Sequence, residues 1–487
     1  MVKKNLCKLS KLLIFAVLLV LAAITIVERD HGGQTYGQQD VSEFRQREFT
    51  DETGHPDIYD PNLHAEVVVE GLELPTTMAF LGPNDILVLE KENGMVKRIV
   101  DGNILPEPLL DVNVAGFIER CMCGIAVSKD TPGHTYVFLY YTEAQAADRE
   151  DMTANPTPPL GNRLYRYELV DNKLVNPKML LDLPSDPGPR HNGGDVLIGP
   201  DRNLYITVGD IDGSYRGEQW QTLSLNYQDG ADVDGRGGIL RITQDGAPVP
   251  DGGVLGNEPP LNLYYAYGIR NSFGMDFDPI AGNLWDTENG PASYDEINLV
   301  RPGFNSGWQT VMGPISLSGD TEDDLVNFPG SHYADPLFSW TEPVAPTDIE
   351  FFNSSNLGER YTNNIFVGDI TTGNLYFFEA NENRDGINFN SSQESGLSDL
   401  VAESSIIKGT ASVDEEELSA VSFGSGFGVI TDIETGPDGL LYILSHDRGI
   451  IYEISPGIDL VETTNTVHMH REPTRLKTDD PFTVMFS

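Results

Sequence analysis

From residue 75 onward the chain repeats one pattern of apolar and polar positions. A short run of β-branched and aromatic residues is followed by a turn built from Gly, Pro, Asp and Asn, a second apolar run, and a polar connection. The clearest copy is Val196-Leu197-Ile198, the turn Gly199-Pro200-Asp201-Arg202-Asn203, and Leu204-Tyr205-Ile206-Thr207-Val208. Pro, Asp and Asn in that turn predict a β-hairpin. Folding the segment about the turn sets His191 opposite Asp210 at the open end. Five further copies are read at 77–80 with 86–89, 123–127 with 136–140, 274–277 with 283–285, 348–351 with 365–368, and 432–434 with 440–444. In the copy at 274–285 the turn near Pro279 to Gly282 sets Arg270 and Asn271 across from Gly290 and Pro291.

Third, outer strands are expected at 95–99, 163–167, 238–242, 375–378 and 450–454. A unit of three or four antiparallel strands written six times predicts an all-β fold: a six-bladed β-propeller of four-stranded antiparallel blades over residues 63–456. The copies are spaced irregularly, by about 45 to 80 residues, so long insertions belong on the surface. A parallel β-helix also repeats strands, but its repeats are shorter and more uniform. In a propeller the first strand of each hairpin lines the channel, and its start opens on one face beside the end of its partner. That face is expected to collect the informative residues.

Outside the repeats, Lys3, Lys4, Lys8 and Lys11 precede an apolar run at 12–27 that ends at Glu28-Arg29-Asp30. Residues 1–27 therefore read as an export signal or an uncleaved N-terminal membrane anchor, with the body on the far side. Residues 28–62 are polar and aperiodic and read as a linker. Residues 457–487 form a polar tail containing His468 and His470, a pair that reads as part of that tail rather than a metal site. Asn353-Ser354-Ser355 and Asn390-Ser391-Ser392 are glycosylation acceptor sequences that an exported chain would expose.

Charge narrows the partners. Seventy-five acidic against thirty-one basic residues give a formal charge of −44, which repels a phosphate backbone and argues against nucleic acid. The acidity reads as solubility in a salty medium rather than a dedicated cation surface. Of the three cysteines, Cys7 belongs to the leader. Cys121 and Cys123, spaced i and i+2 in an apparent strand, would point to one face too far apart for a disulfide without backbone distortion. They read as buried thiols, with a soft-metal site using Met122 as the alternative.

A histidine facing a carboxylate suits proton transfer, because the imidazole titrates near neutral pH and the acid fixes its tautomer. Each residue also has a structural reading: His191 as a satisfied loop histidine, Asp210 as a turn cap, Arg270 as a strut to Asp295 or Glu296. Taken in order, His191-Asn192-Gly193-Gly194 with Gly199-Pro200-Asp201 and Gly209-Asp210, then Gly268-Ile269-Arg270-Asn271, then Glu288-Asn289-Gly290-Pro291 with Asp295-Glu296-Ile297-Asn298, resemble the glucose/sorbosone dehydrogenase family of soluble quinoproteins. The resemblance implies a six-bladed propeller holding pyrroloquinoline quinone (PQQ) and Ca²⁺ on one face, where an aldose loses hydride from C1 and an external acceptor takes the electrons. It implies His191 as general base and Asp210 as its orienting partner. It sets Arg270, Asn271 and Asn289 beside the quinone, the carbonyls of Gly290 and Pro291 on Ca²⁺, and Glu119 beside the sugar.

The chain departs from the family where the quinone carboxylates are held: Thr371 stands where a Lys is expected, and Val429 and Thr431 where arginines are expected. Two function classes follow. One is an exported PQQ-dependent sugar dehydrogenase in which Lys91 or Arg448 supplies the missing charge. The other is a non-catalytic propeller that binds a glycan or a protein.

Overall fold

A computed structural model describes residues 55–145, 158–250, 253–388, 400–402, 418 and 420–457. The expectations for the leader, for most of the linker, for Asn390 and for the tail lie outside them. Asn353 is described, and it is exposed. Among the described residues no helix is long and apolar enough to cross a membrane.

The described residues form six sheets, antiparallel except for short pairings at the outer edges of two of them, arranged as a β-propeller. The six inner strands, blade by blade, are Pro75–Gly82, Met122–Ser128, Val196–Ile198, Ser272–Phe277, Pro346–Phe352 and Ile430–Thr435. Each pairs with the strand that follows it, as the hairpin pattern predicts. Val196 faces Ile206 and Ile198 faces Leu204, the register expected from the turn. In blade 4, Phe277 faces Leu284 and Gly274 faces Thr287, after which a bulge at Phe273 shifts the pairing so that Ser272 meets Glu288. Several blades carry more than the expected four strands, because long excursions return to their outer edges. Phe304–Asn305 and His332–Tyr333 extend blade 3, both in parallel pairings.

The ring closes by a shared blade. Leu63–Glu70, from the start of the body, is the outer strand of blade 6 and pairs with Ile450–Pro456 from its end. Asp57–Ile58 pairs with the outer strand of blade 5, so strand pairing begins inside the stretch read as a linker.

No single central core exists. Six apolar clusters each fill the gap between two neighbouring blades. Strand alternation feeds both sides at once: Leu87 and Leu89 pack toward blade 2, while Ile86 and Val88 of the same strand pack toward blade 6. This is why the second strands are continuous apolar runs rather than alternating ones.

Along the axis the inner strands present acids that reach the next blade. Asp195 accepts the Met275 N–H, Asp276 the Phe351 N–H, Asp348 the Ile433 N–H and Asp432 the Met78 N–H, at 2.7–2.8 Å. Glu350 likewise accepts the Thr435 N–H at 2.9 Å. Desolvation and mutual repulsion push Asp195 and Asp276 up to about 7 and Asp432 up to about 8, and hold Asp348, Glu350 and Glu434 well above the ordinary carboxylate range.

These groups bind protons more tightly folded than unfolded, so each contributes stability that is full only below the ordinary carboxyl pKa of about 4 and is lost as pH rises from there through its folded pKa. The melting temperature is therefore expected to fall steadily from pH 5.5 to pH 9, and the double variant Asp348→Asn with Asp432→Asn to flatten that fall. Calorimetry across the range checks this. A profile that is level or rises toward pH 9 would refute it.

Candidate active site

The open face of the propeller collects the starts of the inner strands and the ends of their partners. His191 lies just before the inner strand of blade 3, in a left-handed backbone conformation (φ 57°) that histidine tolerates better than most residues. Asp210 follows the partner strand. As the hairpin register predicts, the two meet: His191 Nδ1 and Asp210 Oδ1 are 2.6 Å apart, in a pair that is 4% and 0% exposed. The His191 backbone N–H donates to Glu119 Oε2 at 2.6 Å, so the site residue expected from blade 2 touches the same loop. Asn192 is buried beside them, its carbonyl accepting the Tyr140 hydroxyl.

Blade 4 completes the group. The Asp210 N–H donates to the Arg270 carbonyl at 2.8 Å, and the Arg270 N–H to Glu288 Oε1 at 2.7 Å. The Arg270 Nη1 donates to the Asn289 carbonyl at 2.6 Å, and the Asn289 N–H to the Asn271 carbonyl at 3.0 Å. The guanidinium does not pair with Asp295 or Glu296, whose carboxylates take the backbone N–H groups of Gly290, Ala345 and Gly313. The strut reading of Arg270 is thus set aside.

One member was not legible as a site residue. Trp308, 4% exposed, donates its indole N–H to Asp210 Oδ2 at 3.0 Å and lies under the Arg270 guanidinium at 5.5 Å. It sits on an excursion from blade 4, in Gly303-Phe304-Asn305-Ser306-Gly307-Trp308, where only the glycine spacing marks a constrained turn. Burial alone would raise Asp210. The His191 ring, Arg270 and the Trp308 indole outweigh it and hold the carboxyl below its ordinary range, so it is ionised at neutral pH.

A cavity of about 40 Å³ opens beside this group, lined by Glu119, Asn192, Asn271 and Phe273 on one side and Thr76, Thr431 and Asp432 on the other. Arg270 Nε and Asn271 Oδ1 are buried with no protein partner. No donor among the described residues bonds the carbonyl oxygens of Gly290 or Pro291. A polar ligand would satisfy these orphaned groups.

The expectation for Cys121 and Cys123 is overturned. They form a disulfide, with Cα atoms 5.0 Å apart. A flat strand would hold i and i+2 roughly 6.6 Å apart. Here the strand begins only at Met122, and a bulge between Met122 and Gly124 brings the two cysteines together. Both line the cavity.

A family model described as glucose/sorbosone dehydrogenase matches residues 72–453. The chain belongs to the glucose/sorbosone dehydrogenase family. It is 23% identical over 396 residues to an aldose sugar dehydrogenase of Escherichia coli, covering 81% of this chain and 93% of that one. It is 27% identical over 273 residues to quinoprotein glucose dehydrogenase B of Acinetobacter calcoaceticus, covering 53% of this chain and 55% of the other. The aldose sugar dehydrogenase of Streptomyces coelicolor, solved in a PQQ-bound form, shares the fold with a TM-score of 0.54 at 23% identity, over 81% of this chain and 98% of that one.

Of the three positions expected to carry basic residues, Thr371, Val429 and Thr431, only Thr431 lines the cavity. Its hydroxyl donates to the Pro75 carbonyl, tying blade 6 to blade 1. Val429 is buried, with its N–H on Asp447, and the Thr371 N–H donates to the Val344 carbonyl. Lys91 Nζ donates to the Gly116 carbonyl at 2.7 Å and Arg448 to the Tyr452 hydroxyl at 3.1 Å. None of the described residues lining the cavity is a lysine or an arginine.

The His191 loop is set by close approach of two backbones. A Cβ on Gly124 would lie 1.9 Å from the Gly194 carbonyl oxygen, and Gly194 itself has φ 120°. Gly124→Ala is expected to destabilise the protein by about 1 to 3 kcal/mol, the usual cost of overpacking, and to disturb the His191 loop. Urea unfolding measures it, and an unchanged midpoint and slope would show that the seam between blades 2 and 3 yields freely.

Proposed function

We propose that this chain is an exported aldose dehydrogenase in which His191 takes the proton of the sugar hydroxyl. The observation that carries the reading is the buried His191–Asp210 pair, whose neighbours Asn192 and Gly193 line the cavity. Because Asp210 is ionised and accepts from Nδ1, the imidazole carries its proton there and turns the Nε2 lone pair outward as the base. Trp308 and Arg270 fix the carboxylate, so it orients the ring without taking the proton itself. Glu119 holds the His191 backbone, and Asn271 Oδ1 offers a free acceptor to a sugar hydroxyl.

PQQ with Ca²⁺ would supply the hydride acceptor and a Lewis acid. The open carbonyls of Gly290 and Pro291 are hard oxygen donors that suit Ca²⁺, while Arg270 and Asn289 would border the quinone. The family membership, the relatives named for aldose and glucose oxidation, and the surviving His191, Asp210, Arg270 and Asn271 support this reading. The leader and the Cys121–Cys123 disulfide support export to an oxidising compartment, free or anchored by the N-terminal segment. Reduced cofactor would be reoxidised by an external acceptor.

His191→Ala is expected to lower aldose oxidation, followed with a redox dye, by about two to four decades at an almost unchanged melting temperature. Asp210→Asn should cost activity through the wrong tautomer while preserving the fold. A fully active His191→Ala protein would eliminate the role.

The cavity without lysine or arginine favours a second reading, a propeller that binds a glycan or protein without redox chemistry. The two separate in an absorbance titration with PQQ in the presence of Ca²⁺. Each missing charge-assisted contact is worth about 1.5 to 3 kcal/mol, so binding is expected to be weak and to tighten in the variant Thr371→Lys, Val429→Arg, Thr431→Arg. No binding by either protein would remove the quinone and leave the binding propeller.

A further inference from the structure

We infer that the Cys121–Cys123 disulfide is a redox-dependent positioning element for His191, an inference that rests on the reading of His191 as base. The segment at 119–124 joins the cavity wall to the His191 loop with no slack. The Glu119 N–H donates to the Pro189 carbonyl at 3.3 Å, and its carboxylate accepts the His191 N–H at 2.6 Å. Arg120 Nη2 donates to the Ser185 carbonyl at 2.9 Å. On the other side of the bulge, Gly124 abuts the Gly194 carbonyl, and a Cβ on Gly194 would lie 2.5 Å from the Cys123 Cβ. The disulfide spans the bulge between these two sets of contacts.

Bonded sulfurs stand about 2.05 Å apart, whereas two unbonded thiols need roughly 3.5 to 4 Å. Reduction therefore drives the sulfurs apart. On one side the Cys123 Cβ is backed by Gly194, against which the Tyr140 ring also packs. The way left is into the cavity or by flattening the bulge, and either movement shifts the residues next to Glu119. The bond from Glu119 to the His191 N–H is lost first, because it spans the shortest path between the bulge and the base.

Cys123 is part-exposed to the cavity, and Cys121 is 9% exposed. A dithiol reductant attacks Cys123 Sγ through its thiolate, forming a mixed disulfide and expelling the Cys121 thiolate. Its second thiol then closes on the first, releasing Cys123. The protein gains two electrons and two protons as two thiols, and the dithiol becomes a cyclic disulfide.

The test uses the full chain before and after dithiothreitol treatment. Mass-tagging of new thiols counts the reduced pair, and hydrogen exchange by mass spectrometry reads peptides over 117–124 and 189–194. Reduction should add two thiols and speed exchange in those peptides at least about tenfold, the effect of losing one charge-assisted hydrogen bond, with blades 5 and 6 unchanged. Glu119→Ala, with its disulfide intact, should show the same fast exchange at 189–194 and no further response there to dithiothreitol. Where aldose turnover is measurable, kcat should fall by a similar factor on reduction with KM little changed. The inference is overturned if two thiols form and exchange at 189–194 stays the same, or if the native protein forms no new thiols. A protein without aldose turnover in any state defeats the proposed function and leaves the exchange result to judge the disulfide.

Discussion

The structure depends on how each inner strand grips the inner strand of the next blade. Four of the six seams use one device, an aspartate, buried at Asp432 and half-buried at the other three, that accepts a backbone N–H from the next blade. In the register position of Asp432, blade 1 carries Thr77 and blade 2 carries Gly124, neither of them an acid. Their seams are held differently. Thr76 donates its hydroxyl to the Met122 carbonyl between blades 1 and 2, and between blades 2 and 3 the grip passes to Glu119 on the His191 N–H and to the Gly124–Gly194 contact. The site is built at the seam where the common clasp is absent, so a carboxylate that elsewhere ties blades together is here joined to the base.

The electrostatics of blade 4 follow the same economy. Glu288 orients the Arg270 backbone, while Asp286, Glu288 and Glu296 share a dry interior where burial pushes Asp286 up to about 7 and Glu296 to about 8, with Glu288 well above its ordinary range. Asp210 goes the other way because it alone has a histidine, an arginine and an indole N–H around it. Acids one blade apart are thus shifted in opposite directions, and the one held below its ordinary range is the one that faces the imidazole.

The hairpins were legible because turn chemistry and β-branched runs are local, and a pairing register propagates from the turn without tertiary information. The register from each turn sets His191 opposite Asp210 and Arg270 with Asn271 across from Gly290 and Pro291, and the bulge at Phe273 then moves the Asn271 contact to Asn289. What escaped depends on distant chain or on irregular backbone. Trp308 reaches Asp210 from ninety-eight positions away. The Cys121–Cys123 bond needs a bulge, which no residue pattern announces. The extra edge strands arise where insertions happen to return to a blade rim.

The pairing of Leu63–Glu70 with Ile450–Pro456 also sets an order of events during synthesis. A chain emerging from its N-terminus presents the first strand of the seam almost four hundred residues before its partner exists, so that strand must wait as an unpaired edge. Blades 1 to 5 can assemble as an open arc, each covering one apolar face of the last, but the circle shuts only when the final strand of the body arrives. Until then the molecule is an unfinished crescent whose open edge is a template for pairing with another copy of itself.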